Sequence, residues 1–174
     1  MKNKQLTLWI AGGIGILALA GVIFAGGNSD TKKNLAASGT PSFQVDTEMI
    51  ELGEIDVQGD YPADFTVTNT GDAPLEISKA RTSCMCTFAE IIIGDDTSPS
   101  INMDMYMEGI HTYEEYMAAK KWTGTIQSGE SATVRVIYKP YMMPVQGSVA
   151  RNVKFATNDP NNKSVELGIH ATVK

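Results

Sequence analysis

Cys84 and Cys86 are the only two cysteines of this 174-residue chain, and one methionine, Met85, separates them. In an extended strand, residues two apart point to the same face, so this spacing predicts two sulfurs side by side. Three fates follow for such a pair. It binds a soft metal, it closes as a disulfide, or it sits as two small reduced side chains in a core. A disulfide across Cys-x-Cys closes a very small ring, which predicts easy reduction.

Thioether and imidazole groups lie near enough in sequence to join a soft-metal site. Met103, Met105 and Met107 alternate, and His111 follows. Met142 and Met143 sit in a second loop, Pro140-Tyr141-Met142-Met143-Pro144. Thiolate and thioether ligands select Cu(I) over harder ions. The candidate ligands are therefore Cys84, Cys86, Met105, Met107, His111, Met142 and Met143. Zinc needs a tetrahedral set that the sequence does not display. The opposing reading is ordinary packing. Methionine fills core gaps against rings such as Tyr106, Tyr113 and Tyr116, and buried cysteine behaves as a small hydrophobe.

Nothing else in the sequence has the form of a catalytic or cofactor-binding constellation. The two histidines, His111 and His170, have no triad partners at an arguable spacing. Asp95, Asp96, Glu114 and Glu115 form no metal loop. Gly12-Gly13-Ile14-Gly15 lies in an apolar run with no strand before it, so it is no phosphate loop. The expectation is a protein that is not an enzyme. The net charge is −6, and Lys2 and Lys4 are the only charges before Asp30, so the remainder is more acidic still. An acidic domain repels phosphate backbones, which argues against nucleic acid as a partner.

Leu6 to Phe24 carries no charge. As a helix it spans roughly 28 Å at 1.5 Å per residue, which matches a bilayer's hydrocarbon core. With Lys2 and Lys4 ahead of it, the positive-inside rule keeps the N-terminus cytoplasmic and exports the rest. Residues 1–27 are therefore expected to be a cytoplasmic tip and transmembrane anchor. A cleaved signal peptide is the competing reading. Residues 28–41 are small and polar and read as a linker. The domain, 42–174, then lies outside a cytoplasmic membrane.

Within that domain the dominant period is two. Ala63, Phe65 and Val67 alternate with polar neighbours, as do Val134, Val136 and Tyr138. Val165, Leu167, Ile169, Ala171 and Val173 form the cleanest run. Val149, Val153 and Phe155 share a parity that Arg151 breaks. Such alternation marks half-buried strands. Gly, Asn, Asp and Pro punctuate them at 69–72, 127–130 and 157–162. The fold class expected is all-β, an immunoglobulin-like antiparallel β-sandwich, with one N-terminal transmembrane helix. Between about 91 and 122 the strand period weakens, which predicts an insert. Thr112-Tyr113-Glu114-Glu115 has the capping-box form, so a short helix over 112–121 is expected inside it.

Several phrases carry a family resemblance. They are Glu51-Leu52-Gly53-Glu54-Ile55, Asn69-Thr70-Gly71-Asp72-Ala73-Pro74-Leu75, Ser83-Cys84-Met85-Cys86-Thr87, Ser128-Gly129-Glu130 and Thr157-Asn158-Asp159. In that order they resemble the bacterial family called domain of unknown function 1573, over roughly residues 43–174. The resemblance implies an immunoglobulin-like sandwich akin to the hydin and major-sperm-protein group, and no assigned activity. Met85 stands where that family usually has glycine, and the insert is longer than the family's. The function expected is a membrane-tethered binding or scaffolding module whose partner is another envelope protein. The alternative is a copper-handling protein that holds Cu(I) through the Cys-Met-Cys triplet. A thiol-redox use of the pair is the third reading.

Overall fold

Period-two alternation appears as strands packed face to face. The computed structural model describes residues 39–103 and 112–174. The expected anchor at 1–27, nearly all of the linker, and the candidates Met105, Met107 and His111 lie outside them. No helix among the described residues is long and apolar enough to cross a membrane.

The strands in chain order are β1 (Phe43–Val45), β2 (Met49–Ile55), β3 (Tyr61–Asn69), β4 (Leu75–Thr82), β5 (Thr87–Ile93) and β6 (Asp96–Thr97). Helix α1 (Tyr113–Lys120) follows, then β7 (Thr123–Ile126), β8 (Ser131–Tyr138), β9 (Gly147–Thr157) and β10 (Ser164–Val173). One sheet has the order β1-β3-β8-β5-β6, and the other β2-β10-β9-β4-β7. The apolar parity of each run faces the space between the sheets. Phe65, Val67, Val134, Val136, Val153 and Leu167 are fully buried there. Each buried side chain of this size contributes about 1.5–3 kcal/mol.

The sandwich is antiparallel as expected, with one exception. β2 runs parallel to β10, from Met49 opposite Gly168 to Ile55 opposite Val173. The chain reaches β2 by crossing from the first sheet to the second, so no hairpin dictates an antiparallel pairing. His170 lies on the outward face of β10. Its Nδ1 lies 2.7 Å from Glu51 Oε2 and its Nε2 lies 2.7 Å from Ser148 Oγ, so it ties β2 and β9 to β10.

β5 continues to Ile93, two residues past the expected start of the insert, because Ile91 and Ile92 still pair with β8. Ile101 then bridges back to Ala89. The capping box forms as its spacing requires. Thr112 Oγ1 accepts from the Glu115 N–H at 3.2 Å, and Glu115 Oε2 accepts from the Thr112 N–H at 3.0 Å.

Candidate functional site

β4 ends at Thr82 in one sheet and β5 begins at Thr87 in the other, so the cysteines sit where the chain crosses the sandwich. The expectation of an extended Cys-Met-Cys segment is not met. The Thr87 N–H donates to the Cys84 carbonyl at 3.1 Å, closing a turn. Two side chains hold that turn from below. The single Thr82 Oγ1–H is shared between the carbonyls of Cys84 (3.0 Å) and Thr87 (2.8 Å). Asn102 Nδ2 donates to those of Met85 (3.1 Å) and Thr87 (2.7 Å). The turn shortens the Cα–Cα separation of Cys84 and Cys86 to 5.1 Å, against about 6.6 Å for a strand.

At that separation the two sulfurs are joined as a disulfide. Cys86 is fully buried and Cys84 nearly so, whereas Met85 projects into solvent with 43% of its surface exposed. In the disulfide neither sulfur is a thiolate, so a Cu(I) site here requires the reduced pair.

Of the sequence-derived candidates, the structure brings Cys84, Cys86 and Met143 together. Met143 Sδ lies 3.7 Å from Cys84 Sγ. Met142 sits in the same loop, at the end of a 3-10 turn over Pro140–Met142, and is exposed. The Lys139 N–H donates to the Cys86 carbonyl at 2.8 Å and fastens this loop to the cysteine turn. Among the described residues, no three His, Cys, Asp or Glu side chains cluster as a metal site.

The residue that sequence reasoning left unassigned is Arg151. Its Nε lies 3.3 Å from Cys86 Sγ, and its guanidinium carbon sits 5.4 Å from the centre of the Tyr138 ring. The signal was present, since Arg151 is the residue that breaks the apolar parity of β9. A guanidinium beside a reduced cysteine favours its thiolate.

The other phrases of the family resemblance serve the fold. Asn69 is fully buried, and its Nδ2 donates to the carbonyls of Ala73 (2.9 Å) and Ile126 (2.8 Å). A Cβ on Gly71 would lie 2.4 Å from the Thr40 carbonyl oxygen, so glycine is required there. Asp159 is fully buried and accepts from the backbone of Asn161 (2.8 Å) and Asn162 (3.2 Å). Burial pushes its acidity toward the neutral form. Hydrogen bonds from Asn161, Asn162 and the Phe43 backbone outweigh that and hold it below the usual carboxylate range.

The family model described as "Protein of unknown function (DUF1573)" matches residues 43–113. That range holds β1 to β6, the cysteine turn and the start of α1. The comparison with curated proteins yields no match. Among solved structures, a protein of unknown function from Porphyromonas gingivalis W83 is similar at 18% identity with a TM-score of 0.55. The match covers 82% of this chain and 51% of that one, so this chain spans about half of its length. The human CEP192 PapD-like domain 7 is similar at 8% identity with a TM-score of 0.47, covering 78% of this chain and 87% of that one. The class 5 fimbriae chaperone CfaA follows at 12% identity and a TM-score of 0.40, covering 76% and 57%. The first of these likenesses speaks to the fold alone, a two-sheet β-sandwich.

Proposed function

We propose that this chain is a membrane-tethered, extracytoplasmic binding module, and that its docking face is the pole carrying the disulfide. One observation carries this reading. Among the described residues eight large apolar side chains are exposed, and five of them gather at that pole: Met85, Tyr141, Met142, Met143 and Val145. Exposed apolar groups at one place mark interaction surfaces. Methionine suits such a surface because its thioether adapts to varied partners. The partner is another protein of the cell envelope, and the proposal assigns no reaction to the chain. The uncharged run Leu6–Phe24, behind Lys2 and Lys4, supplies the tether.

The test uses photo-crosslinking residues placed at Met85, at Met143, and at Asp72 on the opposite pole, in the full chain in cells. Adducts of one mass from positions 85 and 143, and none from 72, are the expected result. Equal adducts from all three, or none at the first two, refutes the docking face. Alkaline extraction of the membranes tests the tether, which requires the chain to stay in the pellet.

A second reading has its own observation, the 3.7 Å approach of Met143 Sδ to Cys84 Sγ beside Arg151. Once reduced, Cys84, Cys86 and Met143 offer two thiolates and a thioether, a Cu(I) donor set. Native mass spectrometry after anaerobic reduction and Cu(I) addition decides it. One copper, lost in the Cys84→Ser/Cys86→Ser double variant, upholds the reading. No copper on the reduced chain ends it.

A further inference from the structure

Away from the disulfide, β4 carries an irregularity that none of the foregoing uses. Ser78 pairs with Ala156 and Arg81 with Lys154, so Lys79 and Ala80 together oppose only Phe155. Two residues against one is a bulge, a device that re-aims side chains. Lys79 is the one non-glycine described residue with positive φ, at 54°. Such a backbone is unusual for lysine and points to a local purpose.

A cavity of about 390 Å³ opens beside this bulge. Its floor is apolar: Phe155 and Ile101 are buried, and Trp122 is half-buried at the end of α1. Lys79, Arg81, Lys120 and Lys154 also line it, and no carboxylate among the described residues does. That is four cations in one hollow of a chain with 20 acidic and 14 basic residues. Lys120 is engaged with the Tyr116 ring, 5.2 Å from its centre. Arg81 and Lys154 are directly opposed register partners, an arrangement that is destabilising for like charges. Among the described residues neither makes an ion pair.

We infer that this cavity binds a small organic anion with a flat apolar body. The body rests on Trp122, Phe155 and Ile101. The anionic head, a carboxylate or phosphate, lies between Arg81 and Lys154, with Lys79 aimed in by the bulge. The volume falls within the range of small-molecule sites, which join apolar walls to a few placed polar groups. Arginine supplies the planar fork that such a head accepts. An anion there relieves the repulsion between Arg81 and Lys154. The site is independent of the docking face and stands or falls apart from it.

The chain has two tryptophans, Trp9 and Trp122. In a Trp9→Phe background, Trp122 reports on the cavity alone. The experiment titrates the full chain in lipid nanodiscs with 4-iodobenzoate, whose heavy atom quenches tryptophan on contact. 4-Iodobenzyl alcohol and 4-iodobenzylamine are the neutral and cationic isosteres. Saturable quenching by the benzoate is expected, at least tenfold tighter than by the alcohol and absent with the amine. Arg81→Gln with Lys154→Gln should weaken the benzoate at least tenfold while the melting temperature holds or rises. Lys154→Glu alone, which gives Arg81 an opposite charge, should also lose binding and stay folded. Competition by phenyl phosphate against benzoate tells which head the site prefers, and either preference upholds it. Equal quenching by the three isosteres, or unchanged binding in both variants, overturns the inference.

Discussion

The two poles of the sandwich are built on opposite plans. At one, Asn69, Gly71, Asp72 and Asp159 knit three loops and the arriving chain together, with the Thr40 N–H donating to Asp72 Oδ1 at 2.7 Å. At the other, the cysteine turn and the 139–146 loop expose five large apolar side chains. The two buried side-chain atoms without a hydrogen-bond partner among the described residues, Asn102 Oδ1 and Tyr138 Oη, both belong to that second end. Internal satisfaction belongs to the first pole and unspent contact capacity to the second. The difference teaches that the most legible turn phrases of a sequence can serve closure of the fold and leave exposed contact area at the other end.

The sharpest way to break this contrast is to damage the satisfied pole. Asp159→Ala removes a buried carboxylate that accepts from the Asn161 and Asn162 N–H groups, so a loss of about 3 kcal/mol is expected by chemical denaturation. A loss below about 1 kcal/mol would mean the pole is not held as described. The same residue gives a pH dependence. Its folded-state acidity lies below the usual range, so its contribution is complete above about pH 4 and fades as pH falls further. Asp159→Asn should therefore flatten the fall of stability below about pH 4, which acid titration of the melting temperature measures.

At the contact pole the effects are smaller. Replacing both cysteines by serine opens a three-residue loop, for which loop-closure entropy predicts about 1.6 kcal/mol at most. Met85→Ser with Met143→Ser should change stability by less than about 0.5 kcal/mol, yet abolish the adduct formed by a photo-crosslinking residue at the neighbouring exposed Val145. A stability loss of several kcal/mol would instead make these methionines part of the core. The smallest effect belongs to Tyr138→Phe, which deletes a buried hydroxyl with no partner among the described residues. Thermal melting should show it neutral or stabilised by up to about 1 kcal/mol.

Much of the sandwich was legible because alternation is a local signal. Val165 to Val173 declares its inward face within nine residues, and the capping box at Thr112 declares a helix start within four. The parallel pairing of β2 with β10 was not legible, since it joins residues more than a hundred positions apart. The cysteine turn was misread as a strand for a related reason. Thr82 and Asn102 hold it curled, the latter reaching back from beyond β6, and spacing within the triplet carries no trace of either. Arg151 and the β4 bulge lie between these extremes. The parity break at Arg151 was visible, but its neighbours Cys86 and Tyr138 come from the cysteine turn and from β8, far away in sequence.

The arrangement of the poles has a mechanical side. The described chain begins at Gly39, beside Asp72, and the disulfide turn lies at the far end of β3, about 27 Å away at roughly 3.4 Å per residue. A pull between those two points runs along the strands. It sets the three register pairs of β1 with β3, Phe43–Asn69 to Val45–Val67, in shear, so that their hydrogen bonds must fail together. A grip on a loop at the near pole would instead unzip them singly. A tether at the N-terminal side and a partner at the disulfide pole, as proposed above, would load the sandwich in that shear direction.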